Sequence, residues 1–481
     1  MNTPTDDGRV PRFKRRLWSK RESRYWRGSV LSAVALTLLA ALAATAWAVG
    51  VTNAGKAAKK PALASHVVTA SVRRASDRPR VKVRRADGKA QQTTVKNTAV
   101  KGAAKPLISS GWELGEPPAP SGAKRSVLDQ VSCTSSTACT AVGNFENSSG
   151  TTVPLAERWN GTSWSVQEPP APPTGAFTSG LRSVSCTSST ACIAVGEARE
   201  TSTTGTEKPF AESWNGTTWS VQELPMPAET KRAFMQGGVS CVSSTMCEAI
   251  GDVESTSNQL SPLAESWNGT KWALQEFPVP TGAQLTAPKS VSCVSSTMCI
   301  AAGMFSDSSS KSHPFAESWN GTTWSAQELS APKEARAAGL EGISCTSSTA
   351  CMAVGEFISG SGSGGWVPLA ESWNGTEWSV QEPPIPSNAS WGTILYGVSC
   401  TSSTACTATS YIRTNSSKVG IPLAESWNGT KWAVEEAPAP AGATYVFLYG
   451  GVSCTSGTAC MAVGQFGNSA GETVPLAERH E

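Results

Sequence analysis

The stretch VSCTSSTACTAVG, Val131 to Gly143, holds Cys133 and Cys139 with five residues between them. Near-copies follow down the chain with Cys186/Cys192, Cys241/Cys247, Cys293/Cys299, Cys345/Cys351, Cys400/Cys406 and Cys454/Cys460. Every pair is C-x5-C, and each pair lies 52–55 residues after the last. Three chemistries compete for such a pair. Structural zinc needs about four ligands meeting at a point. Each phrase offers only two, and the repeat region adds only His313 and His480. Redox catalysis favours C-x-x-C with a lowered thiol pKa, which this spacing does not provide. The remaining reading is a staple that joins two adjacent strands in an oxidising compartment. Closing so short a loop contributes about 2 kcal/mol by the chain-entropy estimate. No metal-ligand set and no cofactor motif is legible.

One repeat divides into four strand-like runs: SVSCTS (183–188), ACIAVGE (191–197), PFAESWN (209–215) and TTWSVQE (217–223). They are strands A to D. Asn215-Gly216 between C and D reads as a tight two-residue hairpin in which both residues take positive φ. A Pro-rich passage after D cannot continue the sheet and leads to the next unit. A period of this size, made of short strands, points to an all-β, seven-bladed β-propeller with four-stranded blades.

The chain ends predict closure. The last unit stops at VPLAERHE, inside strand C. The segment SSGWELGEPPAP (109–120) matches GTSWSVQEPPAP (161–172), with Trp112 on Trp164 and Glu116 on Glu168. The N-terminal strand is thus expected to complete the seventh blade and leave no open sheet edge.

The phrase SCTSSTAC…AVG…LAESWNGTxW resembles repeats in exported propeller proteins of high-GC Gram-positive bacteria. SWNGTTW (213–219) is also similar to a shortened Asp-box, the S-x-D-x-G-x-x-W turn of sialidase-like propellers. Here Asn stands in place of the Asp and one residue is missing. The resemblance implies a structural turn and brings no sialidase chemistry with it.

Charge divides the chain. Residues 1–108 carry 23 Lys/Arg against 5 Asp/Glu, and residues 109–481 carry 17 against 32. An acidic body argues against nucleic-acid binding. Residues 1–27 read as a basic cytoplasmic tail. Residues 28–51 form an uncharged apolar run long enough to cross a bilayer as a helix. It reads as a signal anchor, or as a signal peptide cleaved near Ala46–Ala48. Either way the body is exported, held at the cell membrane or secreted. Residues 52–108 read as a disordered basic linker, with charge suited to anionic lipid or wall polymer. Residues 109–481 are the propeller, expected as a monomer.

The tryptophan pairs flanking each Asn-Gly, such as Trp214/Trp219, read as packing between blades. The repeated Glu of LAES or FAES (Glu212, Glu265, Glu317, Glu371, Glu425) reads as half-buried and hydrogen-bonded. Asn-Gly-Thr also matches a glycosylation acceptor, but the hairpin already requires Asn-Gly. No G-x-S-x-G, no H-E-x-x-H and no distinctive carboxylate pair appears, so no catalytic residue is assigned.

Alternating strand direction sorts the turns onto two faces. The A–B and C–D turns are near-uniform. The B–C and D–A loops differ in every unit, as in NFENSSGTT, EARETSTTGTEK, EFISGSGSGGW and SYIRTNSSKVG. Loops that vary on a rigid scaffold are the expected place for recognition. Aromatic residues collect there late in the chain. Trp366 and Tyr411 are read into B–C loops, and Trp391, Tyr396, Tyr445, Phe447 and Tyr449 into D–A passages. These are the candidate ligand-binding residues of a binding or scaffold module for an envelope protein or glycan. The alternative is a carbohydrate-active enzyme, a glycoside hydrolase or lyase, on the same scaffold.

Overall fold

The computed structural model describes residues 111–481, apart from 171, 173–175, 177, 201–205, 328, 361–364, 390, 391 and 413–419. The expected basic tail, membrane helix and linker lie outside the described residues. Among the described residues no helix is long and apolar enough to cross a membrane.

The described residues contain 29 β-strands. They group into antiparallel four-stranded units. The first has strand A at Arg125–Ser135, B at Ala138–Glu146, C at Thr152–Trp159 and D at Trp164–Gln167. Cys133 stands opposite Cys139, and Trp159 opposite Trp164. Five further units repeat this plan. In the last, strand A is split into Tyr445–Phe447 and Val452–Cys454. It pairs with Cys460–Gly467, which pairs with Thr473–His480. The fourth strand of that unit is Trp112–Gly115, antiparallel to Thr473–His480 with Trp112 opposite His480. His480 takes the place that tryptophan holds elsewhere. Its ring lies 5.3 Å from that of Trp112. Its Nδ1 donates to the Thr458 carbonyl at 2.7 Å, as Trp159 Nε1 donates to the Ser136 carbonyl at 3.2 Å.

A repeated bond ties strand A of one unit to strand A of the next. The hydroxyl of the serine before the first cysteine accepts from the backbone N–H of the next unit's cysteine. Cys186 N–H donates to Ser132 at 3.0 Å, Cys241 to Ser185 at 3.0 Å, Cys293 to Ser240 at 2.9 Å and Cys345 to Ser292 at 2.9 Å. Cys400 donates to Ser344 and Cys454 to Ser399, both at 2.9 Å. The series then returns to its start, with Cys133 donating to Ser453 at 2.9 Å. A buried N–H left unpaired is costly, so the serine is required wherever the next unit packs.

The apolar cores likewise straddle neighbours. Val142 and Ala156 of the first unit share a cluster with Leu181, Val184 and Trp219 of the second. Leu128, Val131 and Leu155 of the first share another with Met461, Val463 and Ala477 of the last. Trp272 Nε1 reaches back to Gln222 Oε1 at 2.9 Å, and Trp378 Nε1 to Gln327 Oε1 at 2.8 Å. The tryptophans pack between units as the sequence implied.

All seven cysteine pairs are disulfides joining strands A and B of their own unit: Cys133 with Cys139, Cys186 with Cys192, Cys241 with Cys247, Cys293 with Cys299, Cys345 with Cys351, Cys400 with Cys406 and Cys454 with Cys460. That chemistry belongs to an extracellular or secreted domain, because the cytosol keeps thiols reduced.

Three points add to or correct the sequence reading. The first adds to the hairpin staple, which the disulfides bear out: the strand B member of each pair is also a core residue. Cys247 and Cys299 are fully buried, and Cys351 and Cys406 are buried as well. Cys247 packs with Met235 and Leu263, Cys299 with Ile250 and Phe315, Cys351 with Leu340 and Leu369, and Cys406 with Leu395 and Trp432. Cys139, Cys192 and Cys460 are buried in the same way. The reason is strand alternation: the strand B cysteine points into the space that the neighbouring unit fills. A disulfide sulfur there acts as a small apolar group as well as a crosslink.

The second point is a correction and concerns the C–D connection. It is a four-residue loop between paired tryptophans, not a two-residue turn. Only its glycine has positive φ, 97° at Gly216. Asn215 instead folds back on the loop. Its Oδ1 accepts from Thr217 N–H, Thr217 Oγ1 and Thr218 N–H at 2.8–2.9 Å. A Cβ at Gly216 would also sit 3.0 Å from Thr190 of the A–B turn.

The third concerns the strand C glutamates. Glu157, Glu212, Glu265, Glu317, Glu371, Glu425 and Glu478 are fully buried, and neither oxygen of any of them has a hydrogen-bond partner. Burial pushes six of these carboxyls up to about 8 and Glu478 well above its ordinary value. The apolar space between units holds them protonated at neutral pH.

Candidate functional site

Strand A carries a bulge just before its V-S-C or I-S-C. Pairing jumps from Leu128 to Gln130, from Leu181 to Ser183, from Pro288 to Ser290, from Leu340 to Gly342 and from Leu395 to Gly397. The residue left unpaired is Asp129, Arg182, Lys289, Glu341 or Tyr396. In the third and seventh units an extra glycine lengthens the bulge, and Gln236 and Tyr449 hold this place after the buried Met235 and Leu448. The bulged chain crosses close to strand B. A Cβ at Gly143 would lie 2.1 Å from the Val127 carbonyl oxygen, and one at Gly196 would lie 2.0 Å from that of Gly180. Glycine is therefore required there in all units but the sixth, which has Ser410.

The residue after that glycine lies beside the bulge. Its seven occupants are Asn144, Glu197, Asp252, Met304, Glu356, Tyr411 and Gln465. Two units fix the geometry. Asn144 Nδ2 donates to Asp129 Oδ2 at 3.4 Å, and Arg182 Nε donates to Glu197 Oε1 at 2.6 Å. Neighbouring units also meet here, since Arg182 Nη1 reaches Asp129 Oδ2 at 3.3 Å. Two tiers of side chains thus follow the cycle of strands A.

The electrostatics divide this site into sectors. Glu197 and then Asp129 raise the Arg182 guanidinium above its ordinary value, against its burial. Asp129 is raised by burial, which outweighs the lowering pull of Arg182 and Arg125. In the next sector Lys289 acts on three carboxyls. Burial lifts Asp252 to about 7 and raises Glu341, with Lys289 opposing both. Glu356 is lifted well above its ordinary value, by burial and then by the charge of Glu341. Among the described residues no ion pair joins Lys289 to any of them within 4 Å. No group of three or more His, Cys, Asp or Glu among the described residues is placed to hold a metal ion.

The third sector is aromatic. Tyr396 stacks on Tyr411 with ring centroids 5.8 Å apart, and meets Tyr449 edge-on at 6.3 Å. Phe447 contacts Tyr411 at 4.9 Å, Tyr449 at 5.9 Å and Tyr445 at 5.3 Å. Five of the seven aromatics picked from sequence thus form one half-buried cluster. Four of them lie in strands rather than loops, and Tyr449 lies between the two halves of strand A of the seventh unit. Tyr396 lies in strand A and Tyr411 in strand B of the sixth unit. Tyr445 and Phe447 lie in strand A of the seventh. Tyr445 is tied down by its hydroxyl, 2.6 Å from Thr473 Oγ1. Trp366 opens a strand C instead of sitting in a loop, and its carbonyl accepts from Thr393 N–H at 3.1 Å. Trp391 lies outside the described residues. The phenol of Tyr396 is pushed well above its ordinary value, by burial, then Tyr411, then Glu356 and Glu341. The aromatic and acidic sectors therefore adjoin.

The charged members were missed at the sequence level. Their signal was present: within the repeated phrases, the bulge position and the residue after A-V-G are the places where the phrase stops repeating.

No family model matches the chain, and no curated protein sequence matches it. Solved structures do. A Hadza microbial sialidase is similar at TM-score 0.40 and 11% identity, over 65% of this chain and 65% of the sialidase. A xyloglucanase from Xanthomonas campestris is similar at TM-score 0.43 and 12% identity, over 76% of this chain and 55% of that enzyme. The fungal Aleuria aurantia lectin, a six-bladed β-propeller, is similar at TM-score 0.39 and 13% identity, over 67% of this chain and 98% of the lectin. The chain spans only about 65% of the sialidase and 55% of the xyloglucanase.

Proposed function

We propose that residues 109–481 form a closed seven-bladed β-propeller displayed outside the cytoplasm, and that its two tiers of inner side chains and adjoining loop face bind a glycan. Closure is supported by the serine–cysteine bonds that return from Ser453 to Cys133, and by the strand Trp112–Gly115 on Thr473–His480. Export is supported by seven disulfides and by the apolar run 28–51 after a basic tail, which acts as a membrane anchor. The observation that carries binding is the contrast between a repeated scaffold and two positions that change from unit to unit. There the rings of Tyr396, Tyr411 and Tyr449 gather, and Gln465, Asn144 and Glu356 hold the adjoining strand B position in their own units. Aromatic faces that cover sugar C–H surfaces, with convergent polar groups for the hydroxyls, are the usual make-up of such a site. A glycan array followed by calorimetry tests this. Tyr411→Ala is expected to weaken binding about tenfold, given what one desolvated aromatic contributes. An array without a single hit, or full affinity in the variant, would refute it.

One observation favours a second reading, glycoside hydrolysis. Glu341 and Glu356 hold the bulge and the adjoining strand B position of one unit, the places of Arg182 and Glu197, which meet at 2.6 Å in the second unit, so two carboxyls face each other as acid/base pairs require. Turnover of chromogenic glycosides that disappears in Glu356→Gln would support it; inactivity across a broad panel would count against it.

A further inference from the structure

The polar groups of the inner tiers are unevenly satisfied. Around Arg182, both neighbouring carboxylates have an ion-pair partner. Around Lys289 they do not. Asp252 Oδ1 and Glu356 Oε2 have no hydrogen-bond partner. Glu356 is only 6% exposed. It occupies the position from which Glu197 reaches Arg182 at 2.6 Å, so its carboxyl is directed at the inner residue of its own unit, Glu341. Three carboxyls share the single ammonium of Lys289 here, and burial raises all three, so an added cation is what would let them ionise. A second feature is independent of charge. The stacked rings of Tyr396 and Tyr411 stand on the next unit, and Gln465, 4% exposed, has an unpartnered Oε1 beyond them.

Carboxylates next to aromatic faces form the environment that recognises an alkylammonium group, through charge-assisted hydrogen bonds and cation–π attraction. We propose that the sector built by Asp252, Glu341, Glu356, Tyr396 and Tyr411 binds the protonated primary amine of an amino sugar. This rests on the glycan reading above and specifies its substrate class. The ammonium bonds to Glu341 and Glu356 and lies against the tyrosine pair. The sugar ring extends toward Tyr449 and Gln465. An N-acetylated sugar lacks the charge that would ionise the two acids.

Calorimetry of the full chain with hexameric glucosamine and hexameric N-acetylglucosamine reads this directly. The amine form is expected to bind about tenfold more tightly, the range of a desolvated ammonium contact. Glu341→Gln/Glu356→Gln should abolish that preference and bring the two hexamers to equal affinity. Equal or tighter binding of the acetylated hexamer overturns the amine inference and leaves the glycan reading standing. Failure of both hexamers, with other glycans still bound on the array, has the same meaning. Binding of hexalysine with no glycan bound at all overturns both. The comparison of the two sugars uses the unmodified protein, so it stands even if the double variant fails to fold.

Discussion

The A–B and C–D turns and the inner bulges belong to the same units, yet they behave oppositely. At the turns, chemistry repeats almost to the atom. The asparagine Oδ1 to threonine Oγ1 bond is 2.8 Å in the first six units. At the bulge, the seven units carry Asp, Arg, Gln, Lys, Glu, Tyr and Tyr. A repeated position answers to a requirement every unit shares, such as an N–H to satisfy or a loop to close. A position that changes has no such shared requirement. The comparison teaches that on this scaffold stability is concentrated at one rim and in the cores between units, which leaves the inner position available for specificity.

The hardest test of the shared scaffold is removal of residues 111–116. It strips one strand and Trp112, 5% exposed, from the last unit and opens a sheet edge. We expect a loss of about 4 kcal/mol or more, with aggregation on size-exclusion chromatography. A monomer as stable as the parent would break the equivalence of the seventh unit with the others.

The buried glutamates should give the next largest effect. Folded, six of the seven retain a proton to about pH 8. Unfolded, each releases it near its ordinary value of 4.5. Folding therefore takes up protons between these limits. The stability from this source is full below pH 4.5, falls as pH rises, and is lost above about pH 8. The melting temperature is expected to drop by about 5 °C or more between pH 5 and pH 9. Glu265→Gln should shrink the drop. A flat or rising profile would mean that the carboxyls are ionised in the fold.

Removing one disulfide, as in Cys293→Ala/Cys299→Ala, should cost about 2 kcal/mol by loop closure. The buried sulfur of Cys299 adds a smaller packing loss to that figure. Denaturant melts should give a similar cost for the pair in any of the first six units. The smallest effects sharpen the contrast itself. Asn320→Ala at a turn should cost about 1 kcal/mol through its lost backbone bonds. Gln236→Ala at the bulge should change stability by less than about 0.5 kcal/mol. Equal costs would erase the division between scaffold and inner tier.

Much of this was legible because a repeat is its own alignment. Seven copies of C-x5-C, the Asn-Gly loops and the match of Trp112 to Trp164 were enough for strand order and disulfides. The aromatic residues were legible as a group but not as a place. Tyr396 and Tyr411 are 15 residues apart in the chain, and only the antiparallel pairing of strands A and B stacks them. The asparagine turn was misread because Asn-Gly alone does not separate a two-residue hairpin from a four-residue loop capped by the side chain. The strand C glutamates were misread because a carboxyl among alternating apolar residues looks half-exposed until the neighbouring unit covers it. The same cover turns Cys247, Cys299, Cys351 and Cys406 from hairpin residues into core.

The sequence by itself determined the unit, its strands, its staples and its oxidising compartment, because each depends on residues close together in the chain. The tertiary structure decided what the unrepeated residues do. Asp129, Arg182, Asp252, Glu341 and Glu356 look unremarkable in sequence, scattered over some 230 residues. What links residues so far apart in sequence is that strand A of each unit bonds to strand A of the next, which is how Arg182 of the second unit comes to reach Asp129 of the first.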